Sequence, residues 1–443
     1  MSSVAELLGA AGLGPVSHWP GPQASGSLVT QASLSAEDPV EPRTRPCLAP
    51  ADEEVWRGAL ALAGENDWTV RLAGGDTKRR WLPLPEDVDL VLSTAAWRGV
   101  VAYEPADGTL TARTGTSMAE LAAVVAEGGH HLSPEVALPE RATLGGVLAA
   151  SQSGLDRLRP GGIRDALLGA RVLLADGSSS QSGGRLVKNV TGYDLHRLWC
   201  GSFGSLCAIL EVSLRLGPSL GPPHVLVLAC DTLEQGLRAA HTLRELPVRP
   251  VAVGLEARSD AEEVQLVVVL GGLQEVRQEE TRTVRARFPQ TRELLEEDAA
   301  SARARLRDAA NPQTEHLVVQ GPPLQLAARL AVATRDELPA GSLCIHPLVA
   351  EATFVPDALG HPDELPRLAA RLRSQLRSET GPQNGPESGA VRVVVRDGRT
   401  PPQAQPSNAA RRMHARLAES FDPHGRFARA SFWATAPQEG SVA

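Results

Sequence analysis

Lysine is almost missing from this 443-residue chain: it stands only at Lys78 and Lys188, and every other cationic side chain is arginine. Both lysines fall in glycine-bearing stretches. With no basic tract and a net charge of -8, a general nucleic-acid surface is excluded. The five cysteines, Cys47, Cys200, Cys207, Cys230 and Cys344, form no CxxC pair, and no histidine lies at metal-ligand spacing, so no zinc finger or iron–sulfur cluster is encoded. That scatter reads as single thiols in a reducing compartment, without disulfides. No apolar run approaches a membrane span. The start, MSSVAELLGAAGLG, carries Glu6 and no basic residue, unlike a secretory leader. A cytoplasmic protein is expected, with membrane association only through partners. No GxGxxG follows a strand, and neither a P-loop nor GxSxG occurs, which disfavours a nicotinamide Rossmann enzyme, an NTPase and a serine hydrolase.

What is present begins with length. A chain of 443 residues with 42% apolar content makes two or three domains around sizeable cores. Residues 1–49, with Pro15, Pro20, Pro22, Pro39, Pro42 and Pro46 among Ser, Gly and Gln, read as a poorly ordered arm after one short apolar piece, Val4 to Leu13. Residues 50–218 form one domain with subdomains of about 50–100 and 101–218. The first has a helix from Glu53 to Gly64 and strands from Trp68 to Ala73 and Val88 to Leu92. The second has a hairpin from Tyr103 to Arg113 about Asp107-Gly108, and a helix to Glu127 capped by Thr116 or Ser117. Thr143 opens a further short helix, Ile163 to Ala175 supplies strand-like material, and a strand from Cys207 to Leu216 closes the domain. After a Pro/Gly link, residues 224–398 alternate strands and helices as one antiparallel sheet backed by helices, with Leu324 to Asp336 continuing the pattern. Residues 405–443 hold a helix from Ala409 to Glu419 and a tail through FDPHGRF. The fold class is α+β.

Three glycine loops carry the chemistry. The first is Gly74, Gly75, Asp76 and Thr77 after a strand. The second is Thr143-Leu144-Gly145-Gly146 after Leu138-Pro139. The third runs from Gly183 to Pro218, GGRLVKNVTGYDLHRLWCGSFGSLCAILEVSLRLGP. A pyrophosphate must be met without steric obstruction, and a glycine pair lets backbone amides approach where a Cβ would collide. Thr77 adds a hydroxyl, and Thr143 caps a helix whose free amides favour an anion. Lys78, beside Arg79 and Arg80, reads as solvated. Lys188, inside the third motif, reads as functional, and Tyr193 divides between ordinary packing and cofactor contact.

The stretch from about Val70 to Pro218 resembles the FAD-binding domain of the vanillyl-alcohol oxidase or p-cresol methylhydroxylase type. Within it, KNVTGYDLHRLWCGSFGS looks like the matching segment of the FAD-binding subunit of bacterial glycolate oxidase. The resemblance implies a two-subdomain FAD-binding domain of the p-cresol methylhydroxylase type, then an α+β cap, with noncovalent FAD. It implies that Pro139, Thr143, Gly145, Gly146, Ser153 and Gly154 face the flavin and its diphosphate. Gly161 passes near the ring, where Arg159 or Arg164 offers positive charge; Lys188 is placed to stabilise reduced, anionic flavin, and Gly192 and Tyr193 share its motif. Gly201, Gly204 and Ile209 bring backbone to the adenine end. His130-His131 reads as an ordinary loop pair rather than a covalent attachment. Cys207-Ala208, and Ala428 to Ser431 after the FDP motif, depart from the family pattern.

Oxidising a 2-hydroxy acid needs a cation for the carboxylate, a base for the hydroxyl proton and flavin N5 near the α-carbon. No compact set appears in the sequence, so catalytic residues stay unassigned. His346, Arg392 and His414 are candidates by their place in the cap and tail. The glycolate oxidase likeness implies an FAD-binding component of a glycolate (2-hydroxy-acid) oxidase or dehydrogenase complex, partnered by a second flavin subunit and an iron–sulfur subunit. The alternatives are a stand-alone FAD-linked oxidase of another hydroxy acid or alcohol, and a noncatalytic flavin-domain scaffold.

Overall fold

Short apolar strands and side-chain-capped helices assemble into three main sheets in the computed structural model. It describes residues 3–19, 45–81, 85, 87–185, 192–258, 264–309, 311, 312, 314–320, 341–346, 348, 351–357, 361, 363–378, 392–396 and 408–429. Among the described residues no helix is long and apolar enough to cross a membrane.

The first sheet has the order Ser17–Trp19, Arg45–Leu48, Leu90–Ser93, Val70–Ala73, with the last three parallel. Asp52 accepts the Val55 amide and starts the helix Glu53–Glu65, whose Trp56, Ala59, Leu60 and Ala63 are buried. The segment read as a disordered arm is folded at both ends. Ser3 and Glu6 form a capping box on the helix Val4–Ala10, and Leu8 of that helix is buried. Pro46 made the strand Arg45–Leu48 read as loop. It pairs only with His18 of the neighbouring strand, and the parallel pairing starts one residue later at Cys47, so the missing N–H is tolerated.

The second sheet is antiparallel, in the order Val100–Glu104, Thr109–Arg113, Ala208–Arg215, Leu167–Leu173, Ser179–Gly183. Its strand expected from Ile163 starts only at Leu167. The Asp165 carboxylate accepts the Gly162 amide at 2.8 Å and winds Ile163–Ala166 into a helical turn first. Leu173, Ala208 and Leu210 of this sheet share one core with Leu90 of the first and with Trp56 and Leu60 of the helix Glu53–Glu65. The chain's end returns to that core: Phe427 is buried there, and Val70 hydrogen-bonds on either side of it, to the Arg426 carbonyl at 2.6 Å and from the Ala428 amide at 2.8 Å.

The cap is an eight-stranded sheet whose recorded pairs are all antiparallel, in the order Arg292–Leu294, His224–Cys230, Val264–Leu270, Ala252–Arg258, Gly341–His346, Glu351–Pro356, His316–Gln320, Arg392–Arg396. It is a repeat that the sequence does not advertise. Residues 224–294 run strand, helix, strand, strand, helix, strand with the spatial order fourth, first, third, second. Residues 316–396 place their four strands in the mirror listing of that order, joined edge to edge through Leu255 and Ile345. The helix expected over Leu324 to Asp336 lies outside the described residues. Helices Leu233–Leu243, Gln274–Arg287 and Glu364–Ser378 cover one face of the sheet, around Leu226, Val268, Leu317, Ile345, Phe354 and Val395.

Candidate active site

The three glycine loops touch one another. A Cβ on Gly74 would stand 2.4 Å from Thr143 Oγ1, and one on Gly75 would stand 1.7 Å from the Arg141 carbonyl oxygen. These are approaches that no other residue permits. From the third loop, Gly201 and Phe203 donate their amides to the carbonyls of Leu148 and Ala149, at 3.0 and 2.9 Å. Gly204, at φ +74°, lies against Leu72 in the strand that enters the first loop. The convergence read from spacing is therefore physical.

One expected feature changes. The amides at the start of the helix Leu144–Ala149 are not free to receive an anion: Leu144 donates to Thr116 O and Gly145 to Thr114 O, both at 2.9 Å, and Gly146 to Thr143 Oγ1 at 3.3 Å. Thr143 is the cap that the sequence called for, but it and the neighbouring strand spend those donors on a packing joint. Gly145 is needed there because a Cβ would meet Thr114 at 2.7 Å.

Other residues singled out from sequence take varied places. Pro139 accepts the Ala119 amide. Gly154 is pressed against the backbone of Glu135, and Ser153 lies beside Gly162. Gly161 has φ +87° and packs on Asp165. Ile209 is buried, and its carbonyl accepts from Thr114 Oγ1 at 2.7 Å. Lys188 lies outside the described residues. Gly192 has φ +79°, and the Tyr193 side chain is 91% exposed, which removes the ordinary-packing reading for it. Arg159 reaches away to the Gly271 carbonyl of the cap at 2.5 Å, and Arg164 is exposed. His131 Nε2 lies 2.7 Å from the fully buried Asp156, and His130 Nδ1 lies 2.8 Å from the Tyr103 hydroxyl.

Lys78 was misread. It is 8% exposed rather than solvated, its ammonium donates to Thr77 Oγ1 at 2.9 Å, and burial pushes its pKa down to about 7. Asp76, at φ +52°, lies 3.0 Å from Arg71 and 3.8 Å from Arg79. Burial raises its pKa against the pull of Arg71, Arg79 and Arg141.

Sequence reasoning missed the polar face of the cap sheet. Strand parity places His316, Gln320, Cys344, His346, Glu351, Thr353 and Arg396 on the face away from the cap helices, because Leu317, Val319, Ile345, Ala352, Phe354 and Val395 occupy the other. This face meets the first glycine loop: Arg396 donates to the Trp81 carbonyl at 2.5 Å and lies over the Trp81 ring at 5.1 Å, while Arg80 pairs with Glu315 at 3.3 Å. His316 is fully buried. Its Nδ1 donates to the Thr314 carbonyl at 2.9 Å, so in the neutral ring Nε2 carries the lone pair, and that atom has no partner among the described residues. Burial, with Arg396 and Arg80 nearby, pushes the His316 pKa down to about 4. Thr353 Oγ1 is likewise buried without a partner, and burial lowers the Arg396 pKa against the pull of Glu351. Of the three sequence candidates, His346 lies on this face, 3.7 Å from Cys344 Sγ, with its pKa lowered by burial. Arg392 occupies the same strand as Arg396. His414 is apart, on the helix Asn408–Phe421 that packs on the FAD-binding half through Ala418 and Phe421. Only the strand register unites the rest.

A loop cradle beside a cap sheet is the arrangement of FAD-linked oxidoreductases. The family model described as FAD binding domain matches residues 46–181, and the chain carries an FAD-binding domain of the p-cresol methylhydroxylase type. The chain is 34% identical over 154 residues to glycolate oxidase subunit GlcE of Escherichia coli, covering 34% of this chain and 44% of that one. It is 30% identical to mitochondrial D-2-hydroxyglutarate dehydrogenase of Bos taurus, covering 42% and 34% of the two chains, and 28% identical to D-lactate dehydrogenase of Archaeoglobus fulgidus, covering 42% of each. The matches thus span less than half the length of these relatives. A solved structure of alkyldihydroxyacetonephosphate synthase superposes with a TM-score of 0.64 at 13% identity, over 86% of this chain and 75% of that one, and shares the fold.

Proposed function

We propose that this chain is the FAD-binding subunit of a glycolate (2-hydroxy-acid) oxidase or dehydrogenase complex. It works with a second flavin subunit and an iron–sulfur subunit, either oxidising the hydroxy acid or relaying its electrons. FAD is held noncovalently by residues 50–218, residues 224–398 form the cap, and within the C-terminal segment 405–443 the helix Asn408–Phe421 and Phe427 brace the FAD-binding half. The observation that carries the reading is the polar cap face set against Trp81 at the end of the first glycine loop. The cradle fits FAD in that its glycines let the loops converge on one another, and Lys78 offers a buried cation to an anionic group. Bound flavin supplies the hydride acceptor.

The chain's own residues divide the remaining work. Arg396, partly buried and without a carboxylate at ion-pair distance among the described residues, binds the substrate carboxylate. His316 Nε2 accepts the α-hydroxyl proton, its ring held neutral by burial and oriented by Thr314. Thr353 Oγ1 adds a hydroxyl contact. His130 and His131 stay in their hydrogen bonds to Tyr103 and Asp156 rather than binding the ring. The relatives that are named dehydrogenases of D-2-hydroxyglutarate and D-lactate support a 2-hydroxy acid as substrate class.

The test is a visible spectrum of the purified full chain, then addition of glycolate or D-lactate, alone and with the partner subunits. Flavin bands that bleach only with partners present support the complex-subunit reading. Bleaching by the isolated chain points to the stand-alone oxidase, and a colourless protein that takes up no FAD to the scaffold.

A further inference from the structure

Among the described residues no carboxylate forms an ion pair with Lys78. Its ammonium is buried, with Thr77 Oγ1 as its hydrogen-bond partner. The charged groups around it are committed elsewhere: the Asp76 carboxylate to Arg71 and Arg79, with Arg141 also acting on it, and Arg80 to Glu315. None of them shifts Lys78, on which burial alone acts. Buried charges in folded proteins are paired or they neutralise. A lysine in a chain that otherwise uses arginine adds to the point, because lysine releases its proton when desolvated and arginine does not.

The position supplies the missing partner. Lys78 stands three residues after Gly75, in the loop whose glycine pair packs on Thr143 and Arg141, within the FAD-binding domain. In oxidised FAD the adenine, ribityl chain and isoalloxazine are uncharged at neutral pH, so the permanent negative charge is on the diphosphate. We propose that Lys78 is the counter-charge of the FAD diphosphate, and that it takes up a proton as the cofactor enters. This rests on the reading that residues 50–218 bind FAD, and adds to it a named residue and a proton.

The sign follows from linkage. In the free protein Lys78 loses its proton near pH 7, whereas beside a diphosphate it stays charged to higher pH. Binding therefore takes up a proton above pH 7, and FAD affinity falls by up to about tenfold per pH unit there while levelling off below. The test is fluorescence titration of the full-length apoprotein with FAD, and with riboflavin, which lacks phosphate, from pH 6 to 9, for wild type, Lys78→Gln and Lys78→Arg. FAD affinity is expected to drop at least about tenfold between pH 7 and 8.5 in wild type, with no such slope for riboflavin. Lys78→Gln should bind FAD at least about tenfold more weakly at pH 6 and without the slope, and Lys78→Arg should bind tightly at every pH. Recovery by arginine separates loss of charge from loss of fold. Lys78→Gln with wild-type affinity and slope, or riboflavin with the same slope as FAD, overturns the proposal while leaving FAD binding intact. Wild type that takes up no FAD at any pH overturns both.

Discussion

The two halves of the cap repeat the same strand order yet use the face away from their helices in opposite ways. In residues 224–294 that face is apolar, with Val225, Val227, Val267 and Val269 closed over by Ala299, Ala302 and Leu306 of the helix Glu296–Asp308. In residues 316–396 the equivalent face carries His316, Glu351, Thr353, His346 and Arg396, and meets Trp81 and Arg80 from the first glycine loop. Under the proposed function, one repeated strand order offers a sealed half and a working half. Polar side chains that would be costly to bury in a core are gathered where a ligand can complete their hydrogen bonds. Anchors tie the sealed half to the FAD-binding half: Arg303 to Glu135 at 2.6 Å, and Arg159 to Gly271.

The sealed half should be about stability and the working half about turnover, and substitutions can break that division. Leu306→Ala removes a buried side chain packed over Gly254. It should cost about 2–5 kcal/mol in a urea melt with the flavin spectrum and KM unchanged; a selective loss of turnover would contradict the division. Arg396→Gln should lower kcat/KM for a hydroxy acid by about 2–3 kcal/mol, or roughly 30- to 150-fold, because the substrate carboxylate loses its charged partner. Its melting temperature should change little, since Arg396 is partly buried and forms no ion pair among the described residues.

A smaller effect separates His316 from a mere filler. Its folded pKa of about 4 lies below the ordinary 6.5, so between those values the unfolded chain takes up a proton that the folded chain refuses. Stability therefore falls as pH drops from 6.5 toward 4. His316→Phe should flatten that part of the profile in urea melts at pH 7 and pH 5; an unchanged slope would mean that His316 is not the group responsible.

The FAD-binding half was legible because its chemistry is local. Gly74-Gly75 and Gly145-Gly146 announce themselves by spacing, Thr143 caps the helix that it was expected to cap, and Ser117, one of the two residues offered, caps the helix Met118–Glu127. Local reading also set limits. Pro46 hid a strand, and the free amides inferred behind Thr143 are consumed by Thr114 and Thr116, residues almost thirty positions earlier in the chain. Lys78 looked like one of three adjacent surface cations until the fold buried it. The working cap face was illegible because His316, Glu351 and Arg396 belong to three strands, and only their register brings them to one side. The cap repeat left no trace because its two halves share a strand order and no visible sequence period.

The most direct test of the account is a flavin difference spectrum of the FAD-loaded chain titrated with oxalate, a carboxylate that the flavin cannot oxidise as an alcohol. The account predicts a saturable perturbation of the flavin bands in wild type and in Leu306→Ala, with affinity at least about tenfold weaker in Arg396→Gln. Equal perturbation in all three proteins, or none in wild type, would contradict the placement of the substrate site on the polar half of the cap.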